Sequence, residues 1–87
     1  MYTIIVYDVE QKRVGKVCQF LRRYLNWIQN SVFEGELSKG QLKEVKMGLR
    51  DIIKKDEDSI IFFTAESEKW LKKEVMGIEK SEVSTII

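Results

Sequence analysis

Eighty-seven residues, 44% hydrophobic and 33% charged, describe one small folded domain and exclude a disordered chain. One cysteine and no histidine exclude an internal disulfide, a structural zinc site within one chain and histidine acid–base catalysis. The longest uncharged run, residues 24–33, is too short and too polar to span a bilayer, and no signal-peptide pattern is present, so a cytoplasmic protein with no membrane partner is expected. A core this small gains from burial against a second subunit, which makes oligomerisation an expected source of stability.

Residues 2–9 read as a strand with apolar groups on both faces, Tyr2, Ile4 and Val6 on one and Ile5, Tyr7 and Val9 on the other, which places it centrally in a sheet. Asp8 interrupts the apolar run at its end. A helix is predicted over residues 12–25, with Val14, Val17, Cys18, Leu21, Tyr24 and Leu25 sharing one face. Lys12, Lys16 and Arg23 lie opposite that face, whereas Arg13 falls at its flank beside Val17 and Phe20. Residues 27–29 and 32–37 read as two strands. Ser38 followed by Gln41 is a capping-box signature for a second helix whose apolar face is Leu42, Val45, Leu49, Ile52 and Ile53. A charged turn, residues 54–58, leads to a buried strand over residues 59–64. Residues 74–78 fit an edge strand, and the apolar end, residues 83–87, fits either a strand docked on a sheet edge or a frayed tail.

Strand, helix, strand, strand, helix, strand is the order of an α+β, ferredoxin-like βαββαβ domain: an antiparallel sheet with two helices on one face and, here, an additional C-terminal strand. The whole chain, residues 1–87, makes one such domain. This order also serves RNA-recognition motifs, but Val32-Phe33-Glu34-Gly35-Glu36-Leu37 lacks their aromatic signature. There is no glycine-rich phosphate loop, HExxH or CxxC.

Charge is distributed unevenly although the net is only +1. Residues 11–33 hold five basic residues (Lys12, Arg13, Lys16, Arg22 and Arg23) and no acidic one, leaving ten basic and 14 acidic residues elsewhere. Such a segment is either a solvated helix face or a surface for an anionic partner.

The chemistry left open is that of carboxylates and metals. Asp8 sits at a strand end with Glu10 two residues on, and Mg²⁺ commonly takes one or two protein carboxylates. A two-fold axis near Asp8 would double the ligand set. Asp8 with Gln11 equally fits a helix-capping pair. Arg13 suits phosphate binding or pairing with Glu10, and Ser31 a phosphate contact or a turn hydroxyl. Tyr7 and Phe33 have the character of packing residues, Cys18 of inert core, and Trp27 and Trp70 of packing rather than stacking platforms.

Three features occur together: Tyr7-Asp8 at the strand end, Arg13-Val14 opening the helix, and Gln29-Asn30-Ser31-Val32-Phe33-Glu34-Gly35. In combination they resemble the small CRISPR-associated endoribonuclease family, the dimeric ferredoxin-like subunit of the spacer-acquisition complex, over residues 2–65. The resemblance implies a homodimer whose sheets face each other. It implies a metal-dependent endonuclease site in which Asp8 of each chain binds Mg²⁺ or Mn²⁺, with Tyr7, Arg13, Ser31 and Phe33 completing the catalytic set. The implied substrates are single-stranded RNA or double-stranded DNA. The implied partners are a CRISPR integrase subunit and duplex DNA, with Lys12, Lys16, Arg22 and Arg23 on the phosphates and the strand at residues 83–87 crossing to the partner. Trp27 stands where members often carry an arginine. A related family of ribonuclease toxins reads similarly over the first strand and is the alternative.

Overall fold

The computed structural model describes residues 1–81. Its elements are β1 (Tyr2–Asp8), α1 (Gln11–Leu21), β2 (Asn26–Gln29), β3 (Val32–Glu36), α2 (Lys39–Ile52), β4 (Ser59–Ala65) and a single 3₁₀ turn at Glu68–Trp70. The four strands form one antiparallel sheet in the order β2-β3-β1-β4, with β1 central as its two apolar faces require. This is the ferredoxin-like arrangement expected from the element order.

Register explains the two faces. Ile5 stands between Phe33 and Phe62, and this row points toward the helices. There Ile5, Tyr7, Val17, Leu21, Leu25, Phe33, Leu37, Leu42, Val45 and Leu49 form the core. On the other face Ile4 stands between Glu34 and Phe63, and Val6 between Val32 and Ile61. No helix covers that face among the described residues, and Ile61 and Phe63 are 50% and 52% exposed, so β4 is an edge strand covered on one face only and not the buried strand its apolar run suggested.

Local chemistry sets the ends of the elements. Ser38 Oγ accepts the Gln41 N–H at 3.0 Å, and Gln41 Oε1 accepts the Ser38 N–H at 2.9 Å, so the capping box is complete and contributes about 1 kcal/mol. Helix α1 ends a turn earlier than the apolar spacing predicts. The Arg23 and Tyr24 N–H groups donate to carbonyls three residues back, tightening the last turn, while Leu25 still reaches the core. Between β2 and β3, Asn30 adopts φ 44°, a conformation asparagine tolerates, and its carbonyl accepts from Trp27 Nε1 at 3.0 Å. Trp27 is half-buried as a packing residue, whereas Trp70 is 74% exposed, contrary to its expected packing.

Residues 74–78 form no strand. Gly77, at φ 97°, breaks the extended run. Instead Lys73, Glu74, Val75, Met76 and Ile78 border a hollow of about 290 Å³ over Ile4, Ile28, Gln29 and Val32. Lys73 Nζ pairs with Glu34 Oε2 at 2.9 Å, and Tyr2 donates its hydroxyl to Glu34 Oε1, which tethers this segment to the open face. The expected strand at residues 83–87 lies outside the described residues.

Candidate functional site

Alternation along β1 separates two neighbours in sequence. Tyr7 points into the helix-covered core, and Asp8 is exposed on the open-face side of the pleat, level with Ser59 of β4. The Tyr7 N–H donates to the Ser31 carbonyl at 3.1 Å, so the β2–β3 turn lies beside the Asp8 end of the sheet. Asp8 is thus flanked by Ser31 on one side and by Asp58 and Ser59 on the other.

The remaining expected site residues divide into four groups. Tyr7 and Phe33 are core residues, with ring centroids 6.2 Å apart. Burial pushes the Tyr7 hydroxyl above its usual range, with nearby Cys18 adding to the rise and Ser31 opposing it. Neither ring shares a face with Asp8. Ser31 is half-buried at its turn, at the same end of the sheet as Asp8 but beside Tyr7 and its hydroxyl.

Arg13 departs from expectation. It was expected to bind phosphate or to pair with Glu10, but its guanidinium is held by two other carboxylates. Nε and Nη2 donate to Asp58 at 2.6 and 2.9 Å, and Nη2 also donates to Glu57 at 2.9 Å. Hydrogen bonds from Arg13 hold the Asp58 carboxyl well below the usual carboxylate range and lower that of Glu57. The capping role expected of Asp8 with Gln11 is also absent. The N-cap of α1 is Glu10, with no side-chain cap, and Glu10 N–H donates to Asp58 Oδ1 at 2.9 Å.

Lys12, Lys16, Arg22 and Arg23 are all exposed on α1 or at its end. Lys12 and Lys16, one turn apart, share an outward stripe, and Arg23, past the end of α1, lies 5.8 Å over the Phe20 ring. This stripe is on the helix side of the sheet and Asp8 on the other, so the basic residues and the carboxylate occupy separate surfaces.

Two features escaped sequence reasoning. Asp58 and Glu57 read as part of a charged turn, and Arg13, at the flank of the apolar face, reads as a partner of phosphate or Glu10 rather than of them. On α2, Lys46 and Arg50, with Lys55 beyond it, rim a groove of about 410 Å³ floored by Leu49, Ile53, Ile60 and Phe62.

Among the described residues no group of three or more Cys, Asp or Glu side chains is gathered to hold an ion; at the end of β1 one chain offers the exposed Asp8, with Glu10 exposed two residues on. Among those residues, too, no helix is long and apolar enough to cross a membrane.

The family model for CRISPR-associated protein Cas2 matches residues 1–73. The chain belongs to the Cas2 family. A relative from Archaeoglobus fulgidus, named CRISPR-associated endoribonuclease Cas2 2, is 59% identical over 80 residues, covering 92% of this chain and 87% of its own. The CRISPR-associated endoribonuclease Cas2 of Methanosarcina acetivorans is 48% identical over 87 residues, the full length of both. A Cas2 crystal structure superposes with a TM-score of 0.84 at 48% identity, covering 92% of this chain and 90% of that one. Cas2 of Streptococcus pyogenes gives 0.78 at 29% identity, covering 88% and 100%. Membership of the Cas2 family supports a role in CRISPR adaptation and relates the chain to proteins named as endoribonucleases.

Proposed function

We propose that this chain acts as a homodimeric adaptation protein that binds duplex DNA through α1 beside a CRISPR integrase subunit. We further infer a metal-dependent phosphodiesterase site at paired Asp8 residues, acting on single-stranded RNA or double-stranded DNA. The observation that carries this reading is the apolar sheet face ending in Asp8, which stays open on its β4 side. Val6, Ile61 and Phe63, beyond the reach of the segment at residues 73–78, make a surface suited to a second copy, and face-to-face pairing would bring together the Asp8 carboxylates of the two chains.

The donor set fits Mg²⁺ or Mn²⁺: one exposed hard oxygen ligand per chain, with waters completing the shell. Asp8 of each chain would hold the ion, which would supply Lewis-acid polarisation of a phosphoryl oxygen. Ser31, at the same end of the sheet, orients the phosphate by hydrogen bonding. Tyr7 and Phe33 fix the backbone under Asp8 from the core side, and Arg13 serves the frame rather than the phosphate. Lys12, Lys16, Arg22 and Arg23 contact duplex phosphates without reading sequence. Family membership favours this role over the toxin alternative.

The test is cleavage of single-stranded RNA and double-stranded DNA with and without Mg²⁺, comparing wild type with Asp8→Ala from parallel purifications. Cleavage abolished by chelator and by the substitution supports the site. Cleavage indifferent to both removes Asp8 from the chemistry and leaves the DNA-binding role to stand by itself.

A further inference from the structure

We propose that Asp58 is a positioning residue for Asp8, acting through the backbone at the β1–α1 junction. The inference rests on the reading of Asp8 as the reactive carboxylate. The Asp58 side chain has no exposed surface, and its two oxygens accept four N–H bonds. Oδ1 takes Glu10 N–H and Arg13 Nη2, each at 2.9 Å, and Oδ2 takes Arg13 Nε at 2.6 Å and Lys54 N–H at 2.9 Å. That uses the full acceptor capacity of a carboxylate.

The four donors come from two segments, the β1–α1 junction and the α2–β4 turn. Ser59, the next residue after Asp58, is the cross-strand partner of Asp8. The stretch carrying Asp8 is therefore gripped twice, by the β4 register at Asp8 itself and by the Asp58 carboxylate two residues later. Helix α1 shows why the second grip is needed. In a capping box the N3 side chain reaches back to the N-cap N–H. Here N3 is Arg13, a cation that cannot accept a hydrogen bond. It holds Asp58 instead, and Asp58, 45 residues away in sequence, accepts the Glu10 N–H. The box is closed through space by an ion pair, and the direction in which β1 delivers Asp8 depends on it. A displacement of about 1 Å in a reacting group can cost on the order of 100-fold in rate, so this grip bears on chemistry as well as on folding.

The experiment compares wild type, Asp58→Asn and the core variant Val45→Ala, the last a control for lost stability, at temperatures chosen to equalise global stability. Asparagine keeps the shape but turns an NH₂ group toward Arg13. Amide hydrogen exchange is read across residues 9–14, and steady-state cleavage is read in parallel. Asp58→Asn is expected to raise exchange in that stretch by about ten-fold over the control and to lower kcat by about ten-fold, with KM within about two-fold. Val45→Ala at matched stability should do neither. Exchange in Asp58→Asn equal to the control, or an unchanged kcat with a loosened junction, overturns the proposal. A wild type that cleaves nothing refutes the catalytic reading of Asp8, and the exchange result then decides by itself whether Asp58 fixes the junction.

Discussion

Tyr7 and Asp8 are consecutive in sequence yet face opposite sides of the sheet, Tyr7 stacked against Phe33 in the core and Asp8 exposed beside Ser59. Their substitutions should therefore separate fold from chemistry. Asp8→Ala is expected to abolish metal-dependent cleavage while moving stability by no more than about 0.5 kcal/mol. Tyr7→Ala is expected to cost about 3–5 kcal/mol through the cavity left in the core, with activity lost as the fold is lost. Tyr7→Phe should retain cleavage. Denaturant unfolding beside cleavage assays checks all three; a severe activity loss in a stable Tyr7→Phe would make the hydroxyl part of the chemistry.

The stripe on α1 predicts a salt signature. Each phosphate contact removed should lower the slope of log K against log salt by about 0.9. Lys16→Glu with Arg23→Glu should weaken duplex binding at low salt and flatten that slope by about two such increments, with little dependence on sequence. Asp8→Ala, on the other face, should leave both unchanged. Fluorescence anisotropy across a salt series measures this, and an undiminished slope in the double variant would place the DNA elsewhere.

The open face predicts the oligomeric state. Phe63→Glu or Ile61→Glu puts a charge on a surface meant to be covered, and either should shift the protein from dimer to monomer in sedimentation. Because the paired Asp8 site would separate with the subunits, cleavage should fall with the dimer fraction while the far-ultraviolet spectrum stays folded. A Phe63→Glu protein that remains a dimer would move the interface to another surface.

The element order and the core were legible because periodicity reports burial directly. β1 shows both faces apolar, α2 announces its start with Ser38 and Gln41, and the α1 face holds even where its last turn tightens. What stayed hidden depends on partners distant in sequence. A run such as Lys54 to Asp58 does not say which carboxylate turns inward, since the choice is made by Arg13 from α1. Arg13 was visible as a misplaced cation at the flank of an apolar face, but its partner was not. Val75, Met76 and Ile78 carry strand-like side chains, yet the left-handed Gly77 among them ends any regular pairing. The two-sided placement of Asp8 and the basic stripe followed from period-two alternation along β1, a pattern plain in the sequence once the helix-bearing face is known.

Gly35 predicts a packing constraint within β3. At φ 157° a Cβ there would stand 2.9 Å from Leu25 Cδ2, where the chain leaving α1 packs closely on the strand. Gly35→Ala combines backbone strain with overpacking and should cost about 1–3 kcal/mol. In a domain of this size each kcal/mol lowers the melting temperature by roughly 4–8 °C. Leu25→Ala made together with it would relieve the clash, so the pair should lose less than the sum of the single losses. Strict additivity in calorimetry would show that the contact does not limit the substitution.

The Arg13–Asp58 pair fixes the sign of an acid transition. Hydrogen bonds from Arg13, and from the Glu10 and Lys54 amides, hold the folded Asp58 carboxyl below its unfolded value. A carboxyl depressed by folding stabilises the folded state fully above the unfolded pKa, about 3.9 for aspartate, and that contribution is lost as pH falls through the folded value. Glu57 acts in the same direction. Wild type should therefore exceed Asp58→Asn in stability by a constant margin from about pH 5 to 8, and the margin should shrink below about pH 4, where Asp58 takes up a proton in the unfolded chain but not yet in the folded one. Urea titrations at several pH values measure it. A margin unchanged down to pH 2 would mean that the difference is one of shape and hydrogen-bond geometry, with the charge of Asp58 contributing nothing to the hold on Arg13.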